Sequence, residues 1–167
     1  MAILDTTDFQ ELVQQNQARI LRLCAFYSPD ADDRKDLYQE ILMQLWKSWE
    51  RFQGKSSVHT WIYRIALNTA ITHVRKRKRH EYTELDQISP LRVEEDIAFE
   101  IDKQTQLQAL KDAIDRLKPL NRTLALLLLE GLSYEEMAEV TGMTVNNVGV
   151  RLNRIKKRLS YLLHQKQ

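Results

Sequence analysis

The chain has 167 residues, of which 43% are apolar and 29% are charged, and its formal net charge is +2 at pH 7. This length allows one medium domain or two small ones, and the single cysteine, Cys24, excludes an internal disulfide framework and a multi-cysteine metal site. Residues 1–17 lack the basic start and apolar run of a signal peptide, and no apolar stretch approaches the roughly 20 residues of a membrane span, so we expect a cytoplasmic protein.

The first half of the chain has the apolar periodicity of helices. Apolar residues recur at helical spacing over 9–24, and the sequence SPDADD (28–33) ends this first helix and begins the next. The second helix is predicted to run to about Arg51, a loop follows at 52–57, and a third helix spans 58–80. Cysteine lies on the apolar side of the first helix and is expected to be a core residue.

The middle of the chain differs from both ends. Residues 81–103 have weak periodicity, heavy acid content and Pro90, which predict an acidic linker with a short helical piece near its end. No segment has the alternation of a strand. The fold class is therefore predicted to be all-α, with two small helical domains at 1–80 and 104–167.

The second half has the capping signals of several short helices. A helix at 107–117 is expected to be terminated by Pro119. Asn121 is expected to cap the next helix, and Gly131 is expected to end it in the left-handed conformation. The remaining cap residues, which predict two further helices around a turn at 141–143, are Ser133 with Glu136, and Thr144.

The small net charge conceals a basic, acidic, basic pattern. Residues 54–80 contain seven basic side chains and no acid, and residues 81–102 contain eight acids and one arginine. Residues 143–167 contain six basic side chains and again no acid. Two cationic surfaces joined by an anionic segment indicate a polyanion that is contacted at two places.

The last helix has an apolar back and a polar, basic front. Val148, Leu152, Ile155 and Leu159 share one stripe, and the preceding capped helix and turn complete a helix-turn-helix pattern that fits the major groove of DNA. The alternative interpretation is a solvated amphipathic helix or a coiled-coil partner. The candidate DNA-contacting residues are Thr144, Asn146, Asn147, Val150, Arg151, Asn153, Arg154 and Lys157.

The helix at 58–80 combines an aromatic residue, an amide and guanidinium groups on one stripe. Single-stranded bases need flat stacking partners and cations for their phosphates, so this stripe indicates single-strand binding. The alternative is that Trp61 belongs to the core and that the basic run is a solvated helix end. The stripe consists of Trp61, Arg64, Asn68, Ile71 and Arg75, followed by the basic run 76–79.

Three blocks of the sequence carry a family resemblance, namely DLYQEILMQLW (36–46), TWIYRIALNTAITHVRKRKR (60–79) and EGLSYEEMAEVTGMTVNNVGVRLNRIKKRL (130–159). In these blocks, which occur in the right order, the chain resembles the extracytoplasmic-function (ECF) class of bacterial RNA polymerase sigma factors. The resemblance spans nearly the whole chain. From this resemblance we expect sigma domains 2 and 4 only, without a domain 3 or an N-terminal inhibitory extension.

The resemblance implies a role for each part of the chain. The C-terminal helix-turn-helix is expected to read the −35 promoter element as duplex, and the N-terminal domain to read the −10 element and capture the melted non-template strand. The loop 52–57 would form the pocket for a flipped base, and the acidic linker would run through the active-site cleft and RNA exit path of the polymerase. An anti-sigma factor, often membrane-anchored in this class, is a further expected partner.

The resemblance also implies residue roles in the first domain. Four positions are candidate −10 readers, namely Arg64, Asn68, Thr72 and Arg75, and the DNA-contacting set on the same helix also includes Trp61, Ile71, Lys76 and Arg77. The residues expected to dock on the clamp helices of the largest catalytic polymerase subunit are Asp36, Gln39, Glu40 and Trp46. Core RNA polymerase and promoter DNA are therefore the expected partners.

The recognition helix departs from the family pattern at three positions. The family often has a serine or threonine and a lysine where this chain has Asn147 and Gly149. Gly149 lies inside the helix and should cost roughly 1 kcal/mol relative to alanine. Val150 replaces a usual small polar residue on the DNA side, where a thymine methyl group is a suitable contact.

Neither catalysis nor metal binding is expected. The four histidines have no carboxylate or cysteine at ligand spacing, so solvated or phosphate-facing imidazoles are expected at His59, His73, His80 and His164. The acids at 32–40 have no phosphate loop or nucleophile beside them, and helix-dipole stabilisation together with the polymerase contact explains them. The chain is expected to need no cofactor and not to be an enzyme.

Two other functions remain possible from sequence. The first is a stand-alone helix-turn-helix regulator, although such proteins usually dimerise to match two half-sites and no dimerisation element is evident. The second is a protein–protein module whose basic faces bind an acidic partner.

Overall fold

A computed structural model of the protein describes residues 6–81 and 101–165, and every regular element within these two ranges is an α-helix. The predicted all-α fold class is therefore confirmed. Most of the predicted linker lies outside the described residues, as do the two chain ends. In chain order the helices are α1 (Thr6–Tyr27), α2 (Ala31–Trp49), α3 (Val58–Glu81), α4 (Ile101–Asp115), α5 (Pro119–Leu129), α6 (Tyr134–Thr141) and α7 (Val145–His164).

The helices belong to two compact units. The first unit contains α1, α2, α3 and residues 139–142, and the second contains α4, α5, α6 up to Ala138, and α7. Helix α4 begins inside the range that was predicted to be linker. Each unit has its own apolar interior, which is the arrangement expected for two small helical domains.

The core of the first unit is formed where α1 and α2 pack against α3. Helix α2 contributes three fully buried aliphatic residues one turn apart, Leu37, Ile41 and Leu45. Helix α3 contributes Ala66 and Ala70, which are also fully buried. Small side chains in a helix interface allow neighbouring helices to approach closely.

Cys24 lies in this interior and is completely buried, as predicted for a core residue. Burial raises the pKa of its thiol to about 11. The protonated form is therefore the one present at neutral pH, and the side chain behaves as a small apolar group.

Five aromatic rings form a cluster at the end of α2. The ring of Phe9 meets Trp46 edge-on at a centroid distance of 5.0 Å, and Phe52 lies 4.9 Å from Trp61 and stacks on Trp49 with an interplanar angle of 9°. Such ring pairs contribute about 0.5–1.5 kcal/mol beyond the area they bury. Through Phe52, the cluster holds the start of the α2–α3 connection against Trp49 of α2 and Trp61 of α3.

Side-chain hydrogen bonds define the turn between α1 and α2. Asp30 caps α2, because its carboxylate accepts a hydrogen bond from the backbone N–H of Asp33 at 2.9 Å. Arg34 donates to the carbonyl oxygens of Ser28 and Pro29 at 3.2 and 2.8 Å. The predicted break at 28–33 is thus a capped turn, with acids at the positive end of the α2 dipole.

One expectation for the second unit was wrong in detail. Asn121 does not cap α5, because the helix begins at Pro119 with Lys118 as the N-cap residue. Proline suits this first helical position, since its missing N–H would have no partner there. On α7 the fourth buried residue is Leu162, and Leu159 is only half-buried.

Substitution of Gly149 by alanine is expected to stabilise the protein. Alanine in a helix interior is favoured over glycine by about 1 kcal/mol. A Cβ atom at this position would meet the Tyr134 ring at 3.6 Å, an ordinary contact. Gly149→Ala should therefore raise the free energy of unfolding by about 1 kcal/mol, measured by urea unfolding with circular dichroism.

Gly131→Ala is the matched control for this measurement. Gly131 has a φ of +82°, as predicted for the end of α5, and a left-handed conformation costs alanine about 1–2 kcal/mol. This variant should lose stability. A loss of stability in Gly149→Ala as well would contradict the packing described for Tyr134.

Candidate nucleic-acid and polymerase interfaces

Helix α7 presents one buried side and one exposed side. Val148 and Leu152 are fully buried, and Ile155 is nearly so. The eight side chains expected to contact duplex DNA are all exposed, and they carry the amide and cationic groups that read bases and phosphates. These residues are Thr144, Asn146, Asn147, Val150, Arg151, Asn153, Arg154 and Lys157.

The predicted caps that orient α6 and α7 are confirmed. Ser133 and Glu136 form a reciprocal capping box, since each backbone N–H donates to the side chain of the other, at 2.8 and 3.1 Å. Thr144 caps α7 by accepting a hydrogen bond from the backbone N–H of Asn147 at 3.2 Å. Gly142 ends α6 with a φ of +74°, a conformation that glycine adopts without strain.

Helix α3 carries the residues expected to contact the −10 element. Asn68, Thr72, Arg75 and Lys76 are exposed, and together they form a polar, cationic strip along the helix. Arg64 and Ile71 are partly exposed. The structure therefore places Asn68, Thr72, Arg75 and Lys76 on one accessible strip of α3. The guanidinium of Arg64 instead donates to the carbonyl oxygen of Glu139 at 3.0 and 3.2 Å. Trp61 and Arg77 also depart from the prediction.

The indole of Trp61 belongs to the core. It is 9% exposed and packs between Phe52, at 4.9 Å, and Trp49, at 6.0 Å. A ring in this position has little free surface on which a base could stack. The alternative interpretation, in which Trp61 is a core residue, therefore fits better than base stacking. Its contribution to the site is to support the 52–57 loop.

The residues expected to contact the polymerase lie on α2. Asp36 and Gln39 are exposed, and Trp46 is 48% exposed although its ring touches Phe9. Met43, which was not predicted, is 55% exposed on the same helix. Large apolar side chains with free surface are typical of protein–protein contact points.

A cluster of charged groups, which we call the His73 cluster, joins α2 to α3. His73 Nε2 lies 2.7 Å from Asp33 Oδ1, and His73 Nδ1 lies 3.1 Å from Glu40 Oε2. Arg77 Nη1 donates to Asp33 Oδ2 at 2.7 Å, and the Ser28 hydroxyl also donates to Asp33. The cluster thus consists of two acids from α2, two basic residues from α3 and one hydroxyl group.

The cluster shifts the titration of its two central members. Burial alone would lower the pKa of His73, but hydrogen bonds to Asp33 and Glu40 and their negative charges outweigh it and raise that pKa above its ordinary value. Burial alone would raise the pKa of Asp33, but the bonds from Ser28 and His73 and the charges of His73 and Arg77 hold it below its ordinary value. Both residues are therefore stabilised in their charged forms.

The expectation of a solvated or phosphate-facing histidine was wrong for His73. Sequence spacing did not reveal its partners because they lie 40 and 33 residues earlier in the chain. Arg77, expected to contact DNA, is directed at Asp33 and is only 33% exposed. The acidic residues at 32–40 were the only indication of these partners in the sequence. The helix dipole and the polymerase contact were sufficient to explain them, so the sequence did not connect them to His73.

Comparison with known proteins gives a consistent result for both units. The family model described as Sigma-70 region 2 matches residues 12–80, and that described as Sigma-70, region 4 matches residues 107–159. The RNA polymerase sigma-H factor of Pseudomonas aeruginosa is 30% identical, over 95% of this chain and 88% of its own length. The ECF RNA polymerase sigma-E factor of Escherichia coli K12 is 30% identical, over 92% of this chain and 85% of its own length.

Two solved structures share the fold. The sigma factor RpoE of Bartonella quintana, in complex with the anti-sigma factor NepR, has a TM-score of 0.78 at 24% identity and covers 97% of this chain and 100% of its own. CnrH, in complex with the cytosolic domain of CnrY, has a TM-score of 0.71 at 20% identity and covers 98% of this chain and 92% of its own.

These results define a two-domain helical protein of the kind that gives RNA polymerase its promoter specificity. The chain belongs to the sigma-70 family, in its ECF class. It is an alternative sigma factor, and its partners are core RNA polymerase and promoter DNA. Proteins of this family are initiation factors and not enzymes.

Among the described residues, none of the helices is both long enough and apolar enough to span a membrane.

The stability of the protein is expected to fall at alkaline pH through His73. The pKa of His73 is raised in the folded protein. Its contribution to the free energy of unfolding is therefore complete below the pKa of the unfolded chain, about 6.5, and is lost as pH rises through the pKa of the folded protein. For Asp33 the sign is opposite, since its lowered pKa gives a contribution that is lost as pH falls through the folded value.

Urea unfolding of the wild type and His73→Gln at several pH values tests this expectation. The difference in unfolding free energy between them should be largest near about pH 6 and shrink towards about pH 9. His80→Gln, at the exposed end of α3 and outside the His73 cluster, is the matched histidine control. A pH-independent difference for His73→Gln would contradict the charged cluster.

Proposed function

We propose that this sigma factor divides promoter reading between two helices. Helix α7 reads the −35 element as duplex, and α3 reads the −10 element and captures the melted non-template strand. The observation that carries the proposal is the two-sided α7, whose apolar side is buried while Asn146, Arg154 and Lys157 are exposed on the other. The exposed strip of α3 supports the second part.

The proposal assigns the polymerase contact to α2. Asp36, Gln39, Glu40 and Trp46 dock on the clamp helices of the largest catalytic subunit. The exposed apolar surface of Trp46 and Met43 supports this assignment. The loop 52–57 receives a flipped base, and its anchoring through Phe52 in the aromatic cluster would hold it in place.

The remaining parts of the proposal concern setting and chemistry. The acidic linker occupies the active-site cleft and RNA exit path of the polymerase, where its charge imitates nucleic acid. The polymerase supplies all catalysis, and the sigma factor needs no cofactor or metal. Because it works with core polymerase, its place is the cytoplasm.

An anti-sigma factor is a further proposed partner, and the proposal includes a membrane-anchored form of it. One of the two solved structures described above is a complex of a sigma factor with the anti-sigma factor NepR, and the other is a complex of CnrH with the cytosolic domain of CnrY. A partner of this kind would cover the α2 surface or the DNA-reading faces and keep the protein inactive.

Reconstituted transcription tests the function. Purified protein mixed with core RNA polymerase should start transcripts at defined positions on a library of promoter fragments, and the free protein should bind the same duplexes only weakly. No defined start site with any fragment would refute the assignment.

Alanine variants test the role of α7. Arg154→Ala and Lys157→Ala should each reduce promoter-dependent transcription by about tenfold, because each removes a cation from the proposed phosphate contacts. Lys111→Ala removes an exposed cation from α4 and is the matched control, with little effect expected. Unchanged transcription in the α7 variants would favour the protein–protein module instead.

The alternative function, a stand-alone helix-turn-helix regulator, predicts a different molecular mass in solution. A sigma factor should be monomeric in solution, whereas a regulator that binds two half-sites should be a dimer. Light scattering of the purified protein separates them. A dimer that binds a specific duplex tightly without polymerase would favour the regulator.

A further inference from the structure

His73 is held between two carboxylates on the inner side of the helix that carries the proposed −10 readers. Its ring is 12% exposed, and it lies directly after Thr72 in the chain. The ring therefore supports α3 from the side of α2, and the exposed strip lies on the neighbouring part of the helix surface.

The hydrogen bonds require a charged ring. Each nitrogen of His73 faces a carboxylate oxygen, at 2.7 Å for Asp33 and 3.1 Å for Glu40, and an ionised carboxylate only accepts. A neutral imidazole has one N–H, so it can donate to only one of them. Deprotonation would place a nitrogen lone pair against the other carboxylate.

The two carboxylates differ in what else holds them. Asp33 also accepts from Arg77 and Ser28, so it keeps partners when His73 is neutral. The side chain of Glu40 is 43% exposed, and its cationic partner within the described residues is His73. Loss of the proton would therefore release Glu40 first.

Glu40 is also part of the surface that the function uses. It lines an open groove of about 410 Å³ between α2 and α3, together with Met43, Asn68, Thr72 and Lys76. The groove thus brings a residue of the proposed polymerase contact beside residues of the proposed −10 contact. A change at Glu40 alters the charge and shape of this shared surface.

We propose that His73 is a positioning residue that, when protonated, fixes Glu40 and the exposed strip of α3 for polymerase docking and −10 capture. The inference rests on the proposed function of α2 and α3. Its consequence is that initiation by this sigma factor weakens as pH rises. The charged and titratable groups that face the ring are Asp33 and Glu40 from α2, with Arg77 from α3 acting through Asp33.

The first test is a titration of the histidine rings by NMR in the full-length protein. The His73 resonance should titrate above the ordinary value of about 6.5, and Glu40→Gln should lower its midpoint. The control resonance is that of His80. A His73 midpoint at or below the ordinary value overturns the inference, whether or not the protein transcribes.

The second test is the pH dependence of open-complex formation with core polymerase on a cognate promoter. Near pH 6.5 the wild type should form open complexes about tenfold faster than His73→Gln, which is the effect of one charged hydrogen bond. The ratio of the two rates should approach one near about pH 8.5. The ratio cancels the pH dependence of the polymerase itself. His80→Gln should give a ratio near one at every pH.

The outcomes separate the inference from the function. A transcribing wild type with parallel pH profiles for wild type and His73→Gln overturns the inference alone. A wild type that supports no initiation overturns the proposed function and this inference with it. If His73→Gln does not fold by circular dichroism, Glu40→Gln replaces it, and that variant should show the same loss of pH dependence.

Discussion

The structure depends on burying one side of each long helix while the other side stays polar. In α7, Val148, Leu152 and Ile155 are removed from water, and each such side chain contributes about 1.5–3 kcal/mol when fully buried. This burial fixes the rotation of α7 about its own axis. The rotation in turn decides that the asparagine and arginine side chains face solvent, where DNA can reach them.

The same constraint acts on α3 with an additional electrostatic component. Ala66 and Ala70 are buried, and the polar strip faces outward. Towards the C-terminal end of α3 the packing residues give way to the His73 cluster, in which charged groups replace apolar ones between the two helices. Hydrogen bonds have directions and apolar contacts do not, so a charged cluster specifies the relative position of α2 and α3 more narrowly.

Much of the organisation was readable from local sequence. The all-α class, the caps at Ser133 and Thr144 and the left-handed Gly131 depend on residues within a few positions of one another, which a sequence displays directly. The exposed front of α7 followed from helical periodicity alone. The family was recognisable because its motifs are continuous blocks.

Long-range packing was not readable in the same way. A tryptophan on a helix stripe can face the core or a ligand, and only the positions of Phe52 and Trp49 show that Trp61 faces the core. The partners of His73 belong to another helix, so no local pattern connects them. Pro119 was seen as a terminator, although proline is equally suited to a first helical turn, where it stands here.

The placement of the aromatic cluster has a practical consequence. All three tryptophans, Trp46, Trp49 and Trp61, lie in the first unit, and the second unit has none. Intrinsic indole fluorescence therefore reports on the first unit alone, without labelling. Quenching of the half-exposed Trp46 would signal occupation of the α2 surface, while the two buried indoles would respond only when that unit unfolds.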